Sequence, residues 1–189
     1  MKEAFENDTL YIPKARPLSN TNCLLPFCLV GDESFSRKTY LMRPFAKRNL
    51  RNNDQRIFNY RLSRARRVVE NTFGILVSRW RILEKPLALK LSTIEKIIQT
   101  VTCLHNYIIT TNTANNQYLY EGMVDHEDAN SEIIPGNWRN LVRENGNFIN
   151  PLGRIGANIG TAAAIRQRET LTKYFVSEEG SISWQWEQI

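Results

Sequence analysis

A chain of 189 residues that is 42% hydrophobic and 23% charged is long enough to bury one substantial core, which excludes wholesale disorder and points to one globular domain. Its net charge of +6 is uneven: residues 37–67 hold 11 basic side chains against one acid, Asp54, while 1–36 and 68–189 each carry a net −2. No apolar run approaches the roughly 18 residues of a membrane span, and Met1-Lys2-Glu3-Ala4-Phe5-Glu6 lacks the apolar centre of a signal peptide, so no membrane or secretory role is expected.

Along the chain, residues 1–22 are polar and read as an extended lead-in, with a short helix at Lys2 to Glu6. Phe27-Cys28-Leu29-Val30 is a continuous apolar run ending at Gly31, the pattern of a strand buried on both faces. Asp32 follows at its C-terminal end, where open α/β sheets place ligands. Residues 33–55 form a basic excursion, with Tyr40-Leu41-Met42 as a short helix stopped before Pro44.

The strongest helix signal covers residues 56–81. Leu62, Ala65, Val69, Phe73, Leu76 and Trp80 recur at spacings of three and four and predict one apolar stripe. Gly74 weakens or bends that helix. Ser92-Thr93-Ile94-Glu95 matches a capping box, so a second helix runs from Ser92 to about Thr110, with Ile94, Ile97, Ile98, Val101, Leu104 and Ile108 as its stripe.

Residues 111–158 read as a long acidic and Asn-rich loop with a helical piece near Asn137 to Arg143. A last helix is expected over Ala162 to Phe175. The tail Ile182 to Trp186 alternates apolar and polar, as a short strand does or as a segment packed onto a neighbour. Cys23, Cys28 and Cys103 cannot all pair within one chain and read as reduced and buried, an intracellular pattern.

The chemistry centres on Asp32 and Glu70, one at a strand end and the other on a helix 38 positions later. Phosphodiester cleavage by two metals needs carboxylates converging from separate elements around cations about 3.5 to 4 Å apart. Carboxylate oxygens suit Mg²⁺ or Mn²⁺. The plainer readings are a turn residue for Asp32 and a helix ion pair with Arg66 or Arg67 for Glu70. Lys47, Arg48, Arg61, Arg64, Arg66 and Arg67 are the candidate DNA phosphate contacts; the competing reading is a solvated basic surface. His105 falls on the apolar stripe and reads as a satisfied core histidine, whereas His126 in the acidic loop reads as exposed. Trp80 and Phe73 read as core. The sequence has no phosphate-binding Gly-rich loop, nucleophile elbow or HExxH motif, and no small-molecule substrate is expected.

The wording around the two acids carries a family resemblance. Val30-Gly31-Asp32-Glu33-Ser34-Phe35 followed by Tyr40-Leu41-Met42-Arg43-Pro44-Phe45 resembles the GD-x-x-F … YL-x-x-P block of the PIF/Harbinger transposases. Phe58-Asn59-Tyr60-Arg61-Leu62-Ser63-Arg64-Ala65-Arg66, then Val69-Glu70-Asn71-Thr72-Phe73-Gly74 and Arg79-Trp80-Arg81-Ile82-Leu83, resembles that family's central helix. Cys103-Leu104-His105-Asn106-Tyr107 is similar to its LHN segment. Pro135-Gly136-Asn137-Trp138-Arg139 and Trp184-Gln185-Trp186 look like animal members.

The resemblance implies an α/β, partial RNase H-like fold: an incomplete central sheet with flanking helices. It implies a DDE endonuclease using Mg²⁺ or Mn²⁺, with Asp32 as the second acid and Glu70 as the third. DNA is the implied substrate, a Myb-like DNA-binding protein the implied partner, and the nucleus the implied location, with the cytoplasm as a second compartment. The family's first Asp lies on an earlier strand. Here the only earlier Asp is Asp8, in a context that does not match, so N-terminal truncation and impaired catalysis are expected. The alternative is a non-catalytic DNA- or protein-binding remnant. The expected organisation is a lead-in over 1–24, the nuclease segment over 25–111, the acidic loop over 112–158, and a helix with aromatic tail over 159–189.

Overall fold

A computed structural model describes Ala4, Asn7 and residues 9–111, 118–128, 132–144 and 160–189. The helix expected at Lys2 to Glu6, Asp8, and much of the loop expected over 112–158 lie outside the described residues. The chain packs as two compact units, Met1–Arg66 with Leu152–Ile189, and Arg67–Pro151, where its length predicted one.

The first unit contains β1 (Arg16–Pro17) paired antiparallel with β2 (Leu24–Leu25), and β3 (Leu29–Val30) paired parallel with β4 (Leu41–Met42). Two expectations change here. The run Phe27 to Val30 is not a strand buried on both faces: only Leu29–Val30 is extended, and both are partly exposed (45% and 36%). Tyr40 to Met42 is not helical, because Leu41 and Met42 bond to β3, a demand that overrides the local pattern. Asp32 does follow β3, as the sequence indicates.

A 3₁₀ turn (Lys47–Asn49) leads into the long helix α1 (Asn53–Arg79). Its first half buries Ile57, Phe58 and Leu62. Phe58, Met42 and Leu62 form the core, with Cys28, Phe45 and, from α4 (Ala162–Val176), Leu171 and Phe175 packed against them. Phe58 meets Phe45 edge-on at 5.3 Å. Burying a phenyl group this completely stabilises the unit by about 2 to 3 kcal/mol. Thr161 caps α4 by accepting from the Ala164 N–H, and the helix matches the expected span to within one residue. The tail forms a 3₁₀ helix (Ser183–Gln188), not a strand, and buries Gln185, whose amide donates to the Phe175 carbonyl at 2.8 Å.

In the second unit, α1 buries Gly74, Ile75, Leu76 and Val77. The predicted stripe does not run the length of the helix. Leu62 and Leu76 are buried, but Ala65, Val69 and Phe73 are exposed. Ile57 and Phe58 lie five full turns before Ile75 and Leu76, so both halves bury the same face, which is left exposed between them at Ala65, Val69 and Phe73.

The helix α2 (Leu91–Thr111) begins a residue before the predicted cap, and the Lys90 carbonyl accepts from Thr93 and Ile94. Ser92 therefore lies inside the helix and the expected capping box is not the start. Only Val101 and His105 are buried on α2, while Ile98 and Leu104 are exposed. β5 (His126–Glu127) pairs antiparallel with β6 (Ile133–Ile134) ahead of α3 (Trp138–Glu144), which matches the expected helical piece. The composition of helices and small sheets is of the α/β kind. All three cysteines are free, but Cys23 and Cys103 are exposed and only Cys28 is partly covered, contrary to the burial expected. No helix among the described residues is long and apolar enough to cross a membrane.

Candidate functional site

Asp32 sits where β3 ends. Its Oδ1 accepts the Ser34 N–H at 2.8 Å, the local turn that Asp favours and the plainer reading anticipated. Arg43 holds the same loop from behind, donating to the carbonyls of Glu33 (2.9 Å) and Phe35 (3.1 Å).

The loop faces a groove of about 350 Å³ lined by Asp32, Glu33 and Ser34, by Lys47, and by Ser63 and Arg66 on α1, with Pro44, Asn59 and Leu62 completing its wall. Asn59 fixes that wall. Its amide accepts from the Phe45 N–H (2.7 Å) and donates to the Phe45 carbonyl (2.9 Å), so it replaces a backbone ladder partner. Among the predicted site residues the structure thus gathers Asp32, Lys47 and Arg66 around one groove. The groove pairs two carboxylates with two cations, so its charge is balanced overall.

The other predicted cations are placed differently. Arg48 is exposed on the 3₁₀ turn. Arg61 points into its own unit: it donates to the Gly180 carbonyl (3.2 Å) and Gln185 Oε1 (3.1 Å) and covers the Phe175 ring at 4.7 Å. Burial, then the charge of Arg64, lowers its pKa. Arg64 stacks on Trp184 at 4.3 Å. Arg67, in the second unit, pairs with Glu127 at 2.8 Å.

Glu70 belongs to the second unit and is exposed on α1. Its neighbours there explain much of the surrounding motif. Asn71 repeats the device of Asn59: it donates to the Asp125 carbonyl and accepts from the Asp125 N–H, both at 3.0 Å, and also accepts the Trp138 indole N–H at 2.9 Å. Gly74 is required because the Trp138 ring lies where a Cβ would be, 2.2 Å from Cε3. Asp125, placed by the sequence in an acidic loop, is 5% exposed. Burial pushes its carboxyl up, but hydrogen bonds from Arg139 and the Gly136 N–H, with the charges of Arg139 and Arg67, hold it below the usual range. Arg139 is raised by the Asp125 hydrogen bond and also senses the Glu70 carboxylate. The missed signal was Asn within a helix, where it is a poor former and so stays only for a partner.

His105 is buried, as expected. Its Nδ1 lies 2.7 Å from the Tyr118 hydroxyl, which accepts the Trp80 indole N–H at 2.9 Å. The donor of the His105–Tyr118 bond is set by the imidazole tautomer, and burial lowers the His105 pKa. His126 is exposed, as expected. Trp80 is half-buried, whereas Phe73 is 55% exposed and is not core.

The oxygens of Asp32, Glu33 and Ser34 suit a hard cation by type. Among the described residues, however, no group of three His, Cys, Asp or Glu side chains converges to hold one. The residues present fit part of a divalent site and not a whole one.

A family model described as DDE superfamily endonuclease matches residues 12–106. No curated protein and no solved structure matches the chain. The matched segment contains Asp32, Glu70 and the entire basic cluster, and over that half of its length the chain belongs to the DDE superfamily endonucleases, a transposase-like nuclease family.

Proposed function

We propose that this is a DNA endonuclease of the PIF/Harbinger transposase-derived group, with Asp32 and Glu70 as two of its metal ligands and impaired cleavage in the chain as given. The observation that carries the reading is the groove at the end of β3, where Asp32 faces Lys47 and Arg66 within the segment matched to the endonuclease family. Divalent cations in such nucleases stabilise the attacking and leaving oxygens of an in-line displacement.

Lys47 and Arg66 at the groove and Arg48 on the 3₁₀ turn would hold the DNA backbone; Arg61, Arg64 and Arg67 already serve internal contacts. The impairment rests on the first acid: within this sequence Asp8 is the only Asp before Asp32. A partial RNase H-like core fits the exposed apolar groups Val68, Val69, Phe73, Ile98 and Leu104 in the second unit, which a larger sheet would cover. Nuclear location and a Myb-like partner belong to the same proposal.

The test is nicking of supercoiled plasmid in Mg²⁺ or Mn²⁺. Weak metal-dependent nicking that disappears in Asp32→Asn and Glu70→Gln is expected; nicking that survives both substitutions contradicts the assignment. A second reading, a DNA-binding remnant without cleavage, is favoured by the lack of a three-ligand cluster among the described residues. Salt-dependent DNA binding with no metal-dependent product would select it.

A further inference from the structure

The 11 cations of residues 37–67 are not equally available. Seven are buried or half-buried. Of these, Arg43 holds the loop after β3, Arg61 and Arg64 hold the C-terminal tail, and Arg67 pairs with Glu127. The four exposed ones follow one another along the chain: Lys47 and Arg48 on the 3₁₀ turn, Arg51 just before α1, and Arg56 in its first turn. Among the described residues, none of these four side chains makes a hydrogen bond, an ion pair or a ring contact.

The backbone beneath them is held in place. Asn52 Oδ1 accepts the Gln55 N–H at 3.0 Å, and Gln55 Oε1 accepts the Arg51 N–H at 2.9 Å, which satisfies two donors where the helix begins. Ile57 and Phe58 then bury the next turn in the core. The four cations therefore stand on a fixed segment, and Asp54 is the one acid among them, a local excess of three positive charges.

A solvated basic face is the plain reading of such a patch, and two features favour phosphates over it and over other anionic partners. Three of the four cations are arginines, whose planar fork matches phosphate oxygens. In addition, no large apolar side chain is exposed between Phe35 and Val68, so the patch lacks the apolar anchor on which protein interfaces and membrane surfaces depend. Lys47 also lines the Asp32 groove, which makes the patch continuous with the groove within the first unit.

We propose that Arg51 and Arg56, beside Lys47 and Arg48, are backbone contacts for the duplex DNA that flanks the groove. Contacts of this kind position DNA and carry no sequence information. The proposal rests on the nuclease reading for the identity of the polyanion, but it concerns binding and needs neither metal nor cleavage.

The test is fluorescence anisotropy with the whole chain and labelled duplexes of two unrelated sequences, in EDTA, over a series of salt concentrations. Arg51→Gln combined with Arg56→Gln should lower the slope of log K against log salt by about 2, equally for both sequences. Arg51→Lys with Arg56→Lys keeps the charge and should restore most of the slope. Lys14→Gln with Lys173→Gln removes the same charge from exposed positions elsewhere in the first unit and should leave the slope nearly unchanged. Asp32→Asn and Glu70→Gln should also leave it unchanged. A failure of the nuclease reading thus appears as absent nicking with the arginine effect intact. An unchanged slope in the Arg51→Gln, Arg56→Gln protein overturns the proposal and leaves the patch to another partner, such as an acidic protein. An equal fall in the Lys14→Gln, Lys173→Gln protein overturns it in favour of net charge alone.

Discussion

Replacing Gly74 by Ala separates helix propensity from packing. Ala in a helix interior is favoured over Gly by about 1 kcal/mol, and Gly74 stands well inside the 27-residue helix α1, so propensity alone predicts stabilisation. The new Cβ, however, would lie 2.2 to 2.7 Å from three atoms of the Trp138 ring. A ring is not a flexible chain end, and this one is tied by its indole N–H to Asn71 at 2.9 Å. Inserting a methyl into a packed site costs about 1 to 3 kcal/mol, and losing the Asn71 hydrogen bond adds about 1 kcal/mol. The expected net effect is destabilisation by about 1 to 3 kcal/mol, measured by urea unfolding followed by circular dichroism. The sign should reverse in a Trp138→Ala background, where Gly74→Ala regains its propensity benefit of up to about 1 kcal/mol. A Gly74→Ala protein as stable as the parent, or a loss of equal size in both backgrounds, would refute this account of the glycine.

Other outcomes follow from the same packing. Asp125→Asn removes the charge held by Arg139 and Gly136 and should cost about 1 to 3 kcal/mol at neutral pH. Because the folded carboxyl titrates below its unfolded value of about 3.9, its contribution is complete above that pH and is lost as pH falls through the folded pKa; the acid limb of stability should flatten in the variant. Lys47→Ala and Arg66→Ala should each lower the slope of log K for DNA against log salt by about 0.9 for every phosphate left without its cation. Arg61→Ala should leave the slope unchanged while destabilising the fold by about 1 to 3 kcal/mol, and an unchanged fold with a reduced slope would reverse that assignment. His105 has a lowered folded pKa, so stability is complete above its unfolded value of about 6.5 and declines as pH drops below it. Tyr118→Phe should destabilise by about 1 to 3 kcal/mol by orphaning the Trp80 N–H; no loss would show that the hydroxyl is not the acceptor.

Much of the helical architecture was legible in the residues. The periodicity around Phe58 to Trp80 predicts α1 to within about three residues at each end, and α4 follows from its pattern. The strands were less legible. Leu41 and Met42 are extended because β3 offers them a parallel partner, which no local pattern encodes. The placement of Asp32 after a strand was readable because the apolar run and Gly31 mark where the strand stops. The roles of Asn59, Asn71, Gly74 and Asp125 were not, since each depends on a residue that is 11 to 67 positions away. The same holds for Arg61, whose charge read as a DNA contact until its partners Gly180 and Gln185, about 120 positions on, were placed beside it. Local patterns report on faces and ends of elements; which polar groups satisfy one another is decided only by tertiary packing.

The central proposal is that Asp32 and Glu70 share divalent cations. Mn²⁺ titration followed by amide NMR tests it most directly, because a paramagnetic ion broadens the signals around its ligands. The account predicts that resonances flanking Asp32 and Glu70 broaden over the same Mn²⁺ range, and that Asp32→Asn abolishes the effect at both places. Broadening at one acid alone, or at Glu70 regardless of Asp32→Asn, would contradict it.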